Sequence, residues 1–150
     1  MVEKEQTLNP ESDYEQKRQQ MILELARMLH DRWRKRRRTT TGFEPRIKIT
    51  TDQDWIKAHN DQTEVDIANT SFDELPVDWQ RENIVSAEVA LSKIEDALYL
   101  LHDRWLDRNF ESATPEQKIQ YSRLPNGEKE EDIQILYAAI DLISRHNSQE

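Results

Sequence analysis

The same five-residue phrase occurs twice in this chain, and that duplication limits the possible folds more than any other feature. Leu29-His30-Asp31-Arg32-Trp33 returns as Leu101-His102-Asp103-Arg104-Trp105. Downstream of each copy stands an aromatic-x-x-Leu-Pro phrase, Phe72-Asp73-Glu74-Leu75-Pro76 and Tyr121-Ser122-Arg123-Leu124-Pro125. Behind each Leu-Pro the apolar positions superpose, with Ile84, Ala87, Leu91 and Ile94 matching Ile133, Leu136, Ile140 and Ile143. A repeated unit packs its apolar face on its copy. The expectation is two pseudo-symmetric helix–(short strands)–helix units sharing a core, an α+β and mostly helical fold.

Composition narrows this further. With 150 residues, 35% hydrophobic and 34% charged, the chain suits one compact domain with a small core and an ionic surface. Two glycines and five prolines favour long helices over a many-turned β fold. The absence of cysteine excludes disulfides and thiolate chemistry and fits a reducing cytoplasm. No stretch approaches the roughly 20 apolar residues of a membrane span, and the polar N-terminus has no signal-peptide core. A formal charge of −9 disfavours nucleic acid and anionic membrane as partners of the whole molecule.

Residues 1–11 read as a flexible N-terminus. Ser12 with Glu15 forms a capping-box pattern, and Ile22, Leu25, Ala26, Leu29 and Trp33 follow as a helical stripe to about Arg38. Thr39-Thr40-Thr41-Gly42 then stops the helix. The next segment has no counterpart in the second half. Arg46–Thr50 and Glu64–Ala68 alternate like two short strands, expected as an antiparallel pair around a brief helix carrying Trp55 and Ile56. After Leu75-Pro76, the steps of three and four through Ile84, Ala87, Leu91, Ile94, Leu98, Leu101 and Trp105 make a heptad seam, on one helix or on two. That seam must be covered by the first helix, by the last, or by another chain, the last giving a homodimer through Ile84–Trp105. Thr114-Pro115 restarts a short helix, Asn126-Gly127 reads as a turn, and residues 128–145 form the final helix. The resulting division is a first repeat over 12–97, a degenerate second repeat over 98–146 packed with it as one domain, and a tail over 147–150.

These phrases resemble the RyR domain, the repeat named from ryanodine receptors and also found in bacterial and phage proteins. The family's Leu-Ala-x-x-aliphatic-His-x-x-Trp is met in full by Leu25-Ala26-Arg27-Met28-Leu29-His30-Asp31-Arg32-Trp33. Gly42-Phe43 with Pro45 corresponds to its Gly-aromatic element. Phe72, Leu75, Pro76, Asn83 and Ile84 fill its closing aromatic-x-x-Leu-Pro, Asn and aliphatic positions. The matches cover roughly residues 22–95. The second half keeps His102, Trp105 and Tyr121-x-x-Leu124-Pro125, but has Asp132 in place of the Asn and lacks the strand insertion. The resemblance implies an α+β fold of two units paired about a pseudo-twofold axis, and no established catalytic activity.

The expected function is therefore a non-catalytic binding module for a partner protein or a small anionic, nucleotide-like ligand, with no metal and no cofactor. Its groove is expected between the Arg46–Ala68 insertion and the helix after Leu75-Pro76. His30, Trp33, Trp55 and Asn83 are the expected lining, and Arg36 or Arg46 the positive charge. Trp79, in the first turn after Leu75-Pro76, suits a ligand surface or the core equally. Two alternatives come from other classes. The His30-Asp31 and His102-Asp103 pairs could serve a metal-dependent phosphohydrolase, against a packing role set by their one-turn spacing to Trp33 and Trp105. The acidic balance would also suit an inhibitor of a nucleic-acid-binding protein. The Arg34–Arg38 run sits where cations complement a helix C-terminus, and a phosphate-binding role for it stays open.

Overall fold

The computed structural model describes residues 10–118 and 126–147. It is mostly helical, with helices α1 (Pro10–Lys35), α2 (Gln53–Ala58), α3 (Val77–Asn109) and α4 (Asn126–Asn147) and strands β1 (Ile47–Ile49) and β2 (Glu64–Asp66). A 3-10 turn over Phe72–Glu74 precedes α3. The α+β class and the antiparallel strand pair in the first half are as expected. The chain divides into two compact units whose boundary falls inside α3, between Leu91 and Ser92.

Helix α1 starts at Pro10, where a ring-fixed φ and a missing N–H are harmless. Ser12 is thus inside the helix and is not its cap. The most buried line on α1 is Ile22, Ala26 and His30, spaced i, i+4, i+8. Leu25 and Leu29 flank it and pack on a core of Ile22, Ala26, Phe72, Leu75 and Ala87. Each large apolar side chain buried there stabilises the unit by about 1.5–3 kcal/mol. Arg27 Nε donates to Asp73 Oδ1 at 2.9 Å and Gln80 Nε2 to the Phe72 carbonyl at 3.0 Å, so both long helices hold the 3-10 turn.

The α1 helix ends at Lys35, three residues before the expected Arg38. An antiparallel bridge between Arg38 and Phe43 closes the chain reversal, in which Gly42 has φ +154°. In the strand pair, Ile47 faces Asp66, Lys48 faces Val65, and Ile49 faces Glu64. Lys48 and Val65 share the inner face, whereas Ile47 and Ile49 are 54% and 69% exposed. The alternation is as read from the sequence, but the apolar residues of β1 point outward. The reason is Trp79, whose Nε1–H donates to the Ile49 carbonyl at 3.0 Å and whose ring lies 5.4 Å from Lys48 Nζ.

Two carboxylates fasten this insertion to α3. Asp52 caps α2 by accepting the Trp55 N–H, and its other oxygen accepts the Val77 N–H at 2.9 Å, so it serves two helix starts. Those bonds hold the Asp52 carboxyl below the usual range. Asp78 accepts from Thr50 Oγ1 at 2.7 Å and from the Thr51 N–H at 3.0 Å.

Residues 78–109 lie on one continuous helix. Along its seam Ala87 and Leu98 are buried within a single chain, and Ile94 is exposed. In the second unit, Thr114 and Gln117 exchange capping-box bonds at 2.9 and 3.3 Å at the start of a turn over residues 115–118, and the residues that follow lie outside the described ones. Asn126-Gly127 begins α4 instead of forming a turn. The second Leu-Pro phrase, Tyr121–Pro125, residues 1–9 of the N-terminal segment and residues 148–150 of the tail lie outside the described residues.

Candidate ligand-binding cleft

Helix spacing assembles the site. On α1, His30 and Trp33 are three residues apart; on α3, Trp79, Glu82 and Asn83 fall at i, i+3 and i+4. These five, with Ile67 and Leu75 as apolar floor, line a cleft of about 210 Å³ in the first unit.

His30 is only 2% exposed. Its Nε2 lies 2.8 Å from the Thr70 carbonyl, which can only accept, so Nε2 carries the proton. Its ring stacks on Trp33 at 5.8 Å and 22° and leans on Phe72. Burial pushes the imidazole pKa down; the Thr70 bond and Asp31 pull it up, and the Arg34 guanidinium lowers it further. The net effect is a neutral ring, held in one orientation.

The basic run resolves into separate roles. Arg34 Nε donates to the Ala68 carbonyl at 2.8 Å, and its guanidinium lies 4.5 Å from the Phe43 ring. Arg37 donates to the Glu44 and Pro45 carbonyls at 3.1 Å and sits over Trp33. Arg38 lies over Phe43. These three cations are therefore tied into the structure. Arg36 is exposed and outside the cleft, as is Arg46, whose backbone N–H donates to Asp66 Oδ1.

Of the six expected site residues, His30, Trp33 and Asn83 converge. Trp55 does not join them. It stacks on His59 at 3.9 Å, donates its Nε1–H to the Glu74 carbonyl, and lines a separate cleft of about 530 Å³ with Glu64, Asp66 and Glu74. The expected groove is thus two clefts, because the loop carrying Ile67 to Leu75 runs between them. The sequence reading missed Glu82, Ile67, Leu75 and Lys48. The Trp79-x-x-Glu82-Asn83 spacing was the available signal for Glu82; nothing local marks Lys48.

The hydrogen-bonding state of the lining is informative. Trp55 and Trp79 both donate their indole N–H groups to backbone. Trp33 Nε1, the Glu82 carboxylate and the Asn83 amide have no hydrogen-bond partner among the described residues, and no buried side-chain polar atom there lacks one. Lys48, which is outside the lining, likewise has no ion pair among the described residues, and its ammonium lies over the ring of Trp79, a lining residue.

His30 is committed to Thr70, while Asp31 faces outward 3.8 Å from Arg34. Among the described residues no group of three or more His, Asp or Glu side chains is placed to hold a metal ion. No described helix is long and apolar enough to cross a membrane.

No protein-family model matches the chain, and neither a curated protein nor a solved structure matches it.

Proposed function

We propose that the first unit is a non-catalytic, RyR-like binding module for a small anionic, nucleotide-like ligand. The ligand's planar ring enters the Trp33–Trp79 cleft and its charged group meets Lys48. The observation that carries this reading is the set of polar groups without a partner among the described residues, Trp33 Nε1, Glu82 and Asn83, around an apolar floor of Ile67 and Leu75. Polar atoms fixed beside an apolar cleft orient a ligand at little ordering cost. Lys48 replaces Arg36 and Arg46 as the source of positive charge, since its ammonium lies over the ring of Trp79, a wall of the cleft. In this reading the module meets its ligand in the cytoplasm.

The test is calorimetry and thermal shift with a panel of nucleoside monophosphates. A ligand present at a hundred times its Kd stabilises the fold by about 2.7 kcal/mol. Asn83→Ala and Lys48→Gln should each weaken binding, and Arg36→Ser should leave it unchanged. Absence of binding by every nucleotide would overturn the reading. Stoichiometric divalent metal that requires both His30 and His102 would support the hydrolase instead. A protein partner is the second reading, favoured by the outward Ile47 and Ile49; Ile49→Ser would then abolish its capture while leaving nucleotide affinity intact.

A further inference from the structure

Resting on the nucleotide reading, we propose that the cleft selects guanine over the other bases, with Glu82 as the specificity-determining residue. At about 210 Å³ the cleft is smaller than the roughly 300 Å³ at which pockets begin to enclose drug-sized ligands. It therefore takes one ring system and leaves sugar and phosphate outside. Trp33 and Trp79 supply aromatic surface, which any base satisfies and which alone carries no selectivity.

Selectivity comes from the edge. An ionised carboxylate only accepts, and the two Glu82 oxygens have no partner among the described residues. They call for two adjacent donors on the ligand. Guanine presents that pair, N1–H beside the 2-amino group. Hypoxanthine offers N1–H alone, and xanthine offers N1–H between two carbonyl oxygens. Adenine turns the N1 lone pair toward the carboxylate, which repels it. Asn83, the next residue on α3 and equally without a partner, donates from its amide to the guanine O6. The carboxylate repels the phosphate, and the Lys48 ammonium over Trp79 attracts it.

The experiment is titration of the full-length protein with GMP, IMP, XMP and AMP, read by calorimetry and tryptophan fluorescence. GMP should bind at least about tenfold tighter than IMP and AMP, the effect of one charge-assisted hydrogen bond. Glu82→Gln should weaken GMP by about tenfold or more and bring GMP and IMP together, leaving AMP no weaker. Glu82 is exposed, so an unchanged circular dichroism melt is the expected folding control. Equal affinity for GMP and AMP would overturn guanine selection while the nucleotide reading stands. Absence of binding by all four would overturn both. Displacement of GMP by lower concentrations of an arginine peptide than of free GMP would assign the cleft to a protein's guanidinium and overturn the proposal.

Discussion

Replacing Asp66 by asparagine changes a single oxygen into an amide group, and the loop beneath the cleft should pay for it in stability. Asp66 Oδ1 accepts the N–H groups of Arg46, Ala68 and Asn69 at 3.0, 3.1 and 3.4 Å. Its Oδ2 accepts from Asn69 Nδ2 at 2.6 Å. Burial works to raise the Asp66 pKa, but these bonds outweigh it and hold the carboxyl below its usual value. In Asp66→Asn the new oxygen can keep the three backbone donors, but the new amide then faces the Asn69 amide, donor against donor. Asn69 cannot turn over to relieve this. Its Oδ1 accepts the Phe43 N–H at 3.2 Å and its Nδ2 donates to the Phe43 carbonyl at 3.1 Å, so a flip would lose both. One charge-assisted bond contributes about 1.5–3 kcal/mol, and partial exposure screens some of that. The expected loss is therefore about 2 kcal/mol, a fall in Tm of about 4–8 °C for a chain of this size. Urea and thermal melts followed by tryptophan fluorescence measure it. Asp66 is ionised in both folded and unfolded chains down to about pH 5, so the difference should stay constant from neutrality to that point. A loss within about 0.5 kcal/mol, the range of ordinary surface changes, would refute the argument.

Ile22→Ala removes one of the largest fully buried side chains, next to Phe72 and Leu75, and should cost about 2–5 kcal/mol in a urea melt. Gly42→Ala should cost about 1–3 kcal/mol by the same measurement, because φ +154° is foreign to L side chains and the new Cβ meets Asn69 Oδ1 at 3.4 Å. His30 adds a pH signature. Its folded pKa is lowered, so below the ordinary value of about 6.5 the unfolded chain takes up the proton first and stability falls with pH. The urea midpoint should drop between about pH 7.5 and about pH 5.5, and His30→Gln, which keeps a donor for Thr70, should flatten that slope. An equal slope in both proteins would count against a buried neutral imidazole.

Much of the architecture was written in local pattern. The 3.6-residue spacing of Ile22, Ala26 and Trp33 specified α1, and the run from Asp78 to Asn109 without glycine or proline specified α3. The alternation of Arg46–Thr50 and Glu64–Ala68 is a short-range signal of the same kind, and the strand pair appears where it was read. His30 and Trp33 were legible as neighbours because helical spacing needs no tertiary information. Tertiary structure decided the rest. Which face of β1 turns inward depends on Trp79, thirty residues away, whose indole takes the Ile49 carbonyl and carries the Lys48 ammonium. Period-2 alternation identifies a strand but is blind to which side its neighbour will cover. The basic run is another case: Arg34, Arg37 and Arg38 read alike in sequence, and only the carbonyls of Ala68, Glu44 and Pro45 and the ring of Phe43 separate them from exposed Arg36. The division of the expected groove into two clefts has the same origin. A cleft is the space left between elements, and its residues are chosen by long-range packing that no local spacing encodes.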